Sequence, residues 1–256
     1  MMKALHFGAG NIGRGFVGGL PVAFMAEPVQ GAGGVIVPPA NFWPQVREIC
    51  DKYGVLLIAD EVVTGFGRSG ALFGSRGWGV KPDIMVFAKA LTAGYIPLSA
   101  TVINARIEAA YLENRDARGL LMTGFTYGGH PLACAAGLAV LDIVEQENLP
   151  ANAAHQGEYL LGQLQSFASR FPSVGNVRGK GLMLALDLVK DKPSKRSLAP
   201  DNTLALRIAE ATRNAGAVVR PVGPKLVLAP PLTIDKAGCD QLVMALQTAF
   251  EKEDRG

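Results

Sequence analysis

The chain has 256 residues, of which 49% are hydrophobic and 18% charged, and its formal net charge is +3. This length suits one large domain or two smaller ones, and the small charge, with no basic block or aromatic stripe, argues against a nucleic-acid partner. No apolar run reaches the roughly 18 residues of a membrane helix and no signal-peptide pattern opens the chain, so we expect no membrane partner.

The first twenty residues differ from the rest. Residues 3–7 predict a short strand that leads into a GxGxxG turn beginning at Gly8, where backbone N–H groups approach a pyrophosphate. The segment resembles the N-terminus of the mannitol-1-phosphate 5-dehydrogenases. However, Gly18, Gly19 and Pro21 leave only a stub of the crossover helix that an NAD site needs. We therefore favour a fused Rossmann-like stub over residues 1–20; a working NAD site and a glycine-rich tail with one edge strand are the alternatives.

After the stub the pattern is that of an α/β protein. Residues 22–26 predict a short buried strand, and residues 30–34 predict a glycine-rich loop passing close to a cofactor or a subunit partner. Residues 42–53 have helical spacing with one apolar face, and Gly54 stops that helix. A strand–helix–strand crossover therefore begins here.

Two apolar runs end in residues that carry chemistry. Residues 55–59 predict a buried strand ending at Asp60, and residues 83–88 predict another that leads to Lys89. Ligands of open α/β sheets bind outside the carboxyl ends of the strands, so we expect these two side chains to share one pocket. A lysine among Ala, Leu and Gly loses solvation of its ammonium form, which frees the amine as a nucleophile. This acid–amine pair is the minimal chemistry of a pyridoxal-phosphate (PLP) enzyme.

The remaining chain predicts one more strand at residues 98–103 and a helix at residues 131–147, before a break at Leu149 and Pro150 that suggests a domain boundary. The apolar side of that helix carries Leu132, Ala135, Leu138, Ala139 and Ile143. Beyond the break we predict a small α+β domain. Its elements are a helix at 158–171, a strand at 182–188, a solvated loop at 190–201, a helix at 203–215, short strands at 218–220 and 226–228, and a closing helix at 236–253.

The three cysteines are far apart and lack the spacing of metal ligands; they are Cys50, Cys134 and Cys239. We expect reduced thiols, no metal site and a cytoplasmic protein.

Several motifs, in order, closely resemble those of the class III (omega) aminotransferases. They occupy residues 26–34, 58–62, 65–70, 82–84 leading to Lys89, and 125–131, and residues 35–44 look most like the amine–pyruvate transaminases. The resemblance covers about residues 21 to 253. It implies an α/β fold: part of a fold-type I PLP-dependent transferase large domain, mostly parallel sheet, over residues 21–150, and a C-terminal α+β small domain over residues 151–256.

The resemblance also implies roles for five residues. These are Lys89 as the Schiff-base lysine, Asp60 as partner of the pyridinium nitrogen, Val62 against one cofactor face, Thr126 as donor to the cofactor phosphate of the neighbouring subunit, and Arg220 as the fork that binds the keto-acid carboxylate. Each has an ordinary alternative. Lys89 and Arg220 would be solvated at strand ends, Asp60 would cap a helix or pair with Arg68, Val62 would be core and Thr126 a turn hydroxyl. His130 is given no catalytic role.

We therefore expect a PLP-dependent transaminase that moves an amino group from an amine or omega-amino acid to a keto acid such as pyruvate, as a homodimer when intact. The family carries a longer N-terminal portion that holds the phosphate-binding loop, so we expect a truncated or fused form with impaired activity. The alternatives are an NAD-dependent mannitol-1-phosphate 5-dehydrogenase-like oxidoreductase, suggested by residues 1–20 alone, and a non-catalytic fragment.

Overall fold

The computed structural model describes the backbone of residues 4–7 and the whole of residues 22–113, 124–194 and 196–254. The chain forms two compact units. The first contains the chain up to Pro28 and residues 38–66 and 73–147; the second contains residues 29–37, 67–72 and the chain from Asn148 onward. The glycines of the GxGxxG turn lie outside the described residues. The domain limits at residues 20 and 150 remain predictions.

The first unit is built on a five-stranded sheet, and its strands near residues 22–26, 55–59, 83–88 and 98–103 confirm the sequence prediction. Four strands run parallel and in order, and the fifth is antiparallel to the fourth. They are β1 (Ala4–Phe7), β2 (Ala23–Ala26), β3 (Leu56–Asp60), β4 (Ile84–Phe87) and β5 (Ala100–Ile103). The carboxyl ends of β3 and β4 therefore meet at one edge.

Helix α1 (Phe42–Tyr53) has the predicted bounds and joins β2 to β3. Its buried face includes Trp43, which is fully buried and donates from Nε1 to Pro28 O at 3.2 Å. Gly54 ends the helix in the left-handed conformation, with φ 66°, as expected for a glycine stop. The helix thus covers one face of the sheet and fixes where β3 begins.

Two further helices, α2 (Ala105–Glu113) and α3 (Pro131–Gln146), follow β5. The apolar side predicted for α3 is not its buried side, because Leu132 and Leu138 are each 64% exposed. The helix instead buries a face of small residues around Gly137. A Cβ at Gly137 would lie 3.3 Å from Leu98 Cδ2, so the glycine permits a close approach that a larger side chain would hinder.

The second unit is an antiparallel sheet covered by helices, as predicted for an α+β domain. The sheet order is β6-β7-β10-β9, with β8 paired to β7. Its elements in chain order are α4 (Leu149–Arg170), β6 (Val174–Lys180), β7 (Met183–Asp191), β8 (Arg196–Ser197), α5 (Thr203–Asn214), β9 (Arg220–Pro221), β10 (Lys225–Leu228) and α6 (Lys236–Glu253). The inner residues of β7, with leucines of α4 and α6, form the core. Each such buried leucine contributes roughly 1.5–3 kcal/mol.

The sequence misjudged three elements here, one of them the short strand β8, which lies in the predicted loop at residues 190–201. Helix α4 begins at Leu149, where a break was predicted, because Pro150 lies in the first turn and lacks an N–H that needs a partner there. Strand β6 was missed because it contains Gly175 and Gly179, which disfavour strands. Gly175 is needed at this place, since a Cβ there would lie 2.4 Å from Val189 Cγ1. None of the described helices in either unit combines the length and the hydropathy of a membrane span.

The glycine-rich loop after β2 belongs to the second unit. A Cβ at Gly34 would lie 2.4 Å from the side chain of Lys225, so its predicted close approach is to this side chain of the same chain. Val35, buried with φ 54°, adopts a conformation that β-branched residues rarely take. Arg178 holds the loop by donating from Nε to Val35 O at 2.7 Å and from Nη2 to Gly34 O, while Asp187 binds its guanidinium bidentately.

Candidate active site

The site forms where β3 and β4 end side by side. Asp60 closes β3 and stands opposite Val86 in the parallel ladder. The backbone N–H of Glu61 donates to Val86 O at 2.9 Å, which extends the ladder by one bond. Lys89 lies three residues beyond Val86. The acid and the amine identified in the sequence are therefore delivered by adjacent strands to one edge of the sheet.

The carboxylate of Asp60 is half-buried and oriented by its own loop. Its Oδ1 accepts from the backbone N–H of Val62 at 3.1 Å, and the residues that follow form a turn and not the helix of the alternative interpretation. Among the described residues, its Oδ2 has no hydrogen-bond partner. One oxygen therefore fixes the side chain while the other is left to accept from a ligand.

Lys89 begins a short 3₁₀ helix, Lys89–Thr92, in a strained backbone conformation. Its φ is 42°, a left-handed value that costs a non-glycine residue roughly 1–2 kcal/mol. The turn is held from below by the buried residues Leu91 and Thr92, whose Oγ1 donates to Ile96 O at 2.6 Å. Contrary to our expectation of desolvation, Lys89 is exposed, because the turn buries its neighbours and presents the lysine outward. Such strain is typical of functional positions.

The remaining predicted residues of the first unit are Val62 and Thr126. Val62 is half-buried directly after the Asp60–Glu61 pair. Thr126 is exposed in a turn in which Gly128 N donates to Phe125 O at 2.9 Å, and its aromatic neighbours Phe125 and Tyr127 are 85% and 80% exposed. The structure thus places Asp60, Val62 and Lys89 at one sheet edge and Thr126 on an accessible turn.

Arg220 and Arg68 belong to the second unit. Arg220 opens β9, pairs with Val227 of β10 and is exposed. Arg68 donates to the backbone carbonyls of Leu182 and Pro230, and burial lowers the pKa of its guanidinium. The donors of Arg68 are thus directed at backbone oxygens of its own unit.

Two acids that support the strands were not identified from the sequence. Glu61 is 1% exposed, and its carboxylate accepts from three residues, Thr64, Gly74 and Ser75. The one local signal for Glu61 was its position directly after Asp60, at the end of an apolar run. Acids at such positions are too common for the position alone to indicate a role. Its partners Gly74 and Ser75 lie 13 and 14 residues away.

Asp83, at the amino end of β4, is the second missed acid. Its carboxylate accepts from Leu57 N at 2.8 Å, Arg47 Nη1 at 2.9 Å, Asn104 Nδ2 at 2.8 Å and Arg106 Nη2 at 3.2 Å. Burial acts to raise the pKa of this carboxyl group, but the Leu57 hydrogen bond and the neighbouring arginines outweigh it and hold the pKa below its ordinary value. Across the described residues, no group of three or more His, Cys, Asp or Glu side chains is placed to hold a metal ion.

Comparison with known proteins gives consistent matches over most of the chain. Residues 21–250 match the family model described as aminotransferase class-III. An uncharacterized aminotransferase of Sinorhizobium fredii is 43% identical over 89% of this chain and 49% of its own length. The putrescine–pyruvate aminotransferase of Pseudomonas aeruginosa is 42% identical over 90% of this chain and 49% of its own length.

Solved structures give the same picture. An amine transaminase from an uncultivated Pseudomonas species, in its PLP-bound form, superposes with a TM-score of 0.89 at 57% identity, over 91% of this chain and 52% of that chain. An (S)-enantioselective omega-transaminase from Thermomicrobium roseum gives 0.85 at 48% identity, over 90% and 51%. The fold is therefore, as predicted, part of the fold-type I α/β architecture of PLP-dependent transferases. The chain spans about half the length of the relatives it matches.

Proposed function

Because the chain belongs to the class III aminotransferases, we propose that it acts in PLP-dependent transamination, with Lys89 as the covalent anchor of the cofactor and Asp60 beside the ring nitrogen. The observation that carries this proposal is the register of β3 and β4. It sets Asp60 opposite Val86, three residues before Lys89, and so brings this lysine to the same edge. No described feature favours the dehydrogenase alternative, whose glycine turn lies outside the described residues.

The residues at this edge fit the cofactor. Asp60 keeps Oδ2 for a donor, which a protonated pyridine nitrogen supplies, while Val62 N holds Oδ1 in place. Lys89 is accessible, and within the described chain its amine makes no hydrogen bond or ion pair that would have to be broken. Val62 lies two residues after Asp60, where it would contact one face of the ring. An anionic partner of a ring nitrogen and a free amine are the two groups that PLP chemistry requires.

Each residue then has a task in amino-group transfer. When bound, PLP supplies an electron sink for the bond that breaks at the donor carbon. Lys89 Nζ, once the incoming amine has displaced it, would move the proton from the donor carbon, and Asp60 Oδ2 would keep the proton on the ring nitrogen. Overall, the amine donor would become a carbonyl compound and the keto acid an amino acid, because the amino group and the carbonyl oxygen exchange between them. Arg220 would bind the carboxylate of that keto acid bidentately.

The substrates we propose are an amine or omega-amino acid and a keto acid such as pyruvate. Relatives named putrescine–pyruvate and taurine–pyruvate aminotransferase support this class. We also propose a homodimer, in which the exposed hydroxyl of Thr126 donates to the cofactor phosphate of the neighbouring copy. The free cysteines Cys50, Cys134 and Cys239 support a reducing, cytoplasmic compartment.

The proposal is tested by trapping the cofactor on the full chain. The protein is incubated with PLP, reduced with borohydride and digested, and the peptides are analysed by mass spectrometry. We expect a pyridoxyl adduct on Lys89 that is absent in Lys89→Ala. Lys81→Ala is the matched control, because Lys81 is also exposed but lies at the amino end of β4; this variant should keep the adduct. An unmodified Lys89, or labelling spread evenly over the lysines, would overturn the proposal.

A further inference from the structure

Glu61, directly after Asp60, has a buried side chain whose two carboxylate oxygens are both hydrogen-bonded. It is 1% exposed, and its carboxylate accepts four hydrogen bonds. Oε2 accepts from Thr64 Oγ1 at 2.5 Å and Gly74 N at 2.8 Å; Oε1 accepts from Ser75 N at 2.8 Å and Ser75 Oγ at 2.7 Å. A buried carboxylate with this many donors has one geometry available to it, because any movement leaves an N–H or O–H unpaired.

The backbone of Glu61 is fixed as well. Its N–H donates to Val86 O, and its carbonyl accepts from Gly65 N, both at 2.9 Å. The surrounding loop leaves no space for adjustment. A Cβ added at Gly65 would lie 2.7 Å from Glu61 O, and one at Gly74 would lie 2.8 Å from Thr64 Cβ. Side chain and backbone together thus hold residue 61 against both β4 and the loop that follows β3.

Glu61 lies between the two residues whose contact orients the candidate acid. Asp60 precedes it, and Val62, which donates to Asp60 Oδ1 at 3.1 Å, follows it. Successive side chains of an extended chain point to opposite sides. Holding Glu61 on one side therefore directs Asp60 to the other and keeps the Val62 N–H within reach of Asp60.

We propose that Glu61 is a positioning residue: its buried carboxylate fixes the Asp60–Val62 segment and thereby aims Asp60 Oδ2 at the pyridine nitrogen of PLP. This inference rests on the proposed function. Glu61 itself touches neither cofactor nor substrate; it acts through the backbone on either side of it. The chain thus uses one acid of the Asp60–Glu61 pair for the cofactor and the other to hold the first in place.

The matched control is Asp83, a buried carboxylate of the same sheet that also accepts four hydrogen bonds but lies at the opposite end of β4. Glu61→Gln and Asp83→Asn each replace an acceptor oxygen with an amide donor, so both should lower the unfolding midpoint. Only Glu61→Gln should weaken PLP binding, by about tenfold, the effect of losing one hydrogen bond to a charged group. It should also shift the pH midpoint of the visible absorbance of bound PLP, whereas Asp83→Asn should change neither.

Milder variants keep the test decisive if Glu61→Gln does not fold. Thr64→Val and Ser75→Ala each remove one side-chain donor from Glu61, and Asn104→Ala removes one from Asp83. We expect the first two to shift the absorbance midpoint in the same direction and Asn104→Ala to leave it in place. The inference is overturned if variants around Glu61 and Asp83 lose stability alike and bind PLP as the unchanged chain does. Absence of the Lys89 adduct in the unchanged chain would instead contradict the proposed function.

Discussion

Leu57 and Asp83 join β3 to β4 through a reciprocal pair of contacts: Asp83 N donates to Leu57 O, and Leu57 N donates to Asp83 Oδ2, each at 2.8 Å. Arg47 adds an ion pair to the same carboxylate at 2.9 Å. These hydrogen bonds and this ion pair lie at the amino ends of the strands, while Asp60 and Lys89 lie at the carboxyl ends. A buried carboxylate therefore holds the strands at each end: Asp83 at the amino ends and Glu61 at the carboxyl ends, where the proposed site lies.

Replacing Asp83 with Asn should lower the free energy of unfolding by about 2–3 kcal/mol at neutral pH, because the half-buried guanidinium of Arg47 and a backbone N–H lose their anionic partner. The fold depresses the pKa of Asp83, so its contribution is present above the unfolded pKa of about 3.9 and is lost as pH falls through the folded value. Urea unfolding should thus show the two proteins converging below about pH 4.

Asp51→Asn is the control for this prediction. Asp51 also pairs with Arg47, at 2.7 Å, but its side chain is 68% exposed. Its loss should cost less than about 0.5 kcal/mol at either pH. The role given to burial would be contradicted if Asp51→Asn and Asp83→Asn lowered the free energy of unfolding equally. It would also be contradicted if Asp83→Asn lowered that free energy as much in acid as at neutral pH.

The positions of Asp60 and Lys89 were predictable because an apolar run that ends in a polar residue is a local pattern. The supports of these residues were not, since Glu61 takes two of its three partners, and Asp83 all of its partners, from 13 or more residues away. Periodicity likewise located helix α3 but chose the wrong buried face. A helical pattern shows which residues share a side, whereas the choice of side depends on which neighbour, here the turn below Gly137, approaches closely enough.

Gly157 should be the least replaceable glycine of α4. A Cβ there would lie 2.1 Å from Gly181 O, and Gly181 itself has φ 56° and would place a Cβ 2.4 Å from Ser69 C. Since backbone atoms cannot move aside, Gly157→Ala should cost about 3 kcal/mol or more. Gly162 lies on the same helix, and a Cβ added there would meet nothing within 4 Å. Gly162→Ala should therefore stabilise the protein by roughly 0.5–1 kcal/mol. Thermal unfolding that moves both variants the same way would refute the argument.

Arg178 should control the order of the glycine-rich loop at Gly34 and Val35. Lysine cannot reproduce its fork, so Arg178→Lys should lose the carbonyl contacts and cost roughly 1–3 kcal/mol. With strained Val35 released, amide hydrogen exchange in residues 29–37 should accelerate. Arg170→Lys is the control, because Arg170 binds Glu251 and Gln247 on an exposed surface. Unchanged exchange in Arg178→Lys would show that the loop is held by other contacts.

The left-handed conformation of Lys89 predicts an inverted order of stability for its replacements. Both Lys89→Ala and Lys89→Gly remove the amine and with it the PLP adduct. At φ 42°, however, alanine keeps the steric strain and glycine relieves it, so the glycine variant should be more stable by roughly 0.5–1 kcal/mol. Urea unfolding without cofactor measures this difference directly.

The same pair of substitutions at Lys52, in the last turn of α1, supplies the contrast. There the backbone is helical, and alanine should be the more stable replacement by about 0.5–1 kcal/mol. If glycine is also the worse residue at position 89, the turn is not strained and the chain does not store energy at its candidate nucleophile. If glycine is more stable than alanine at position 89 but not at position 52, the sequence keeps a lysine at position 89 at a cost to stability. Such a cost is expected of a residue that is retained for chemistry.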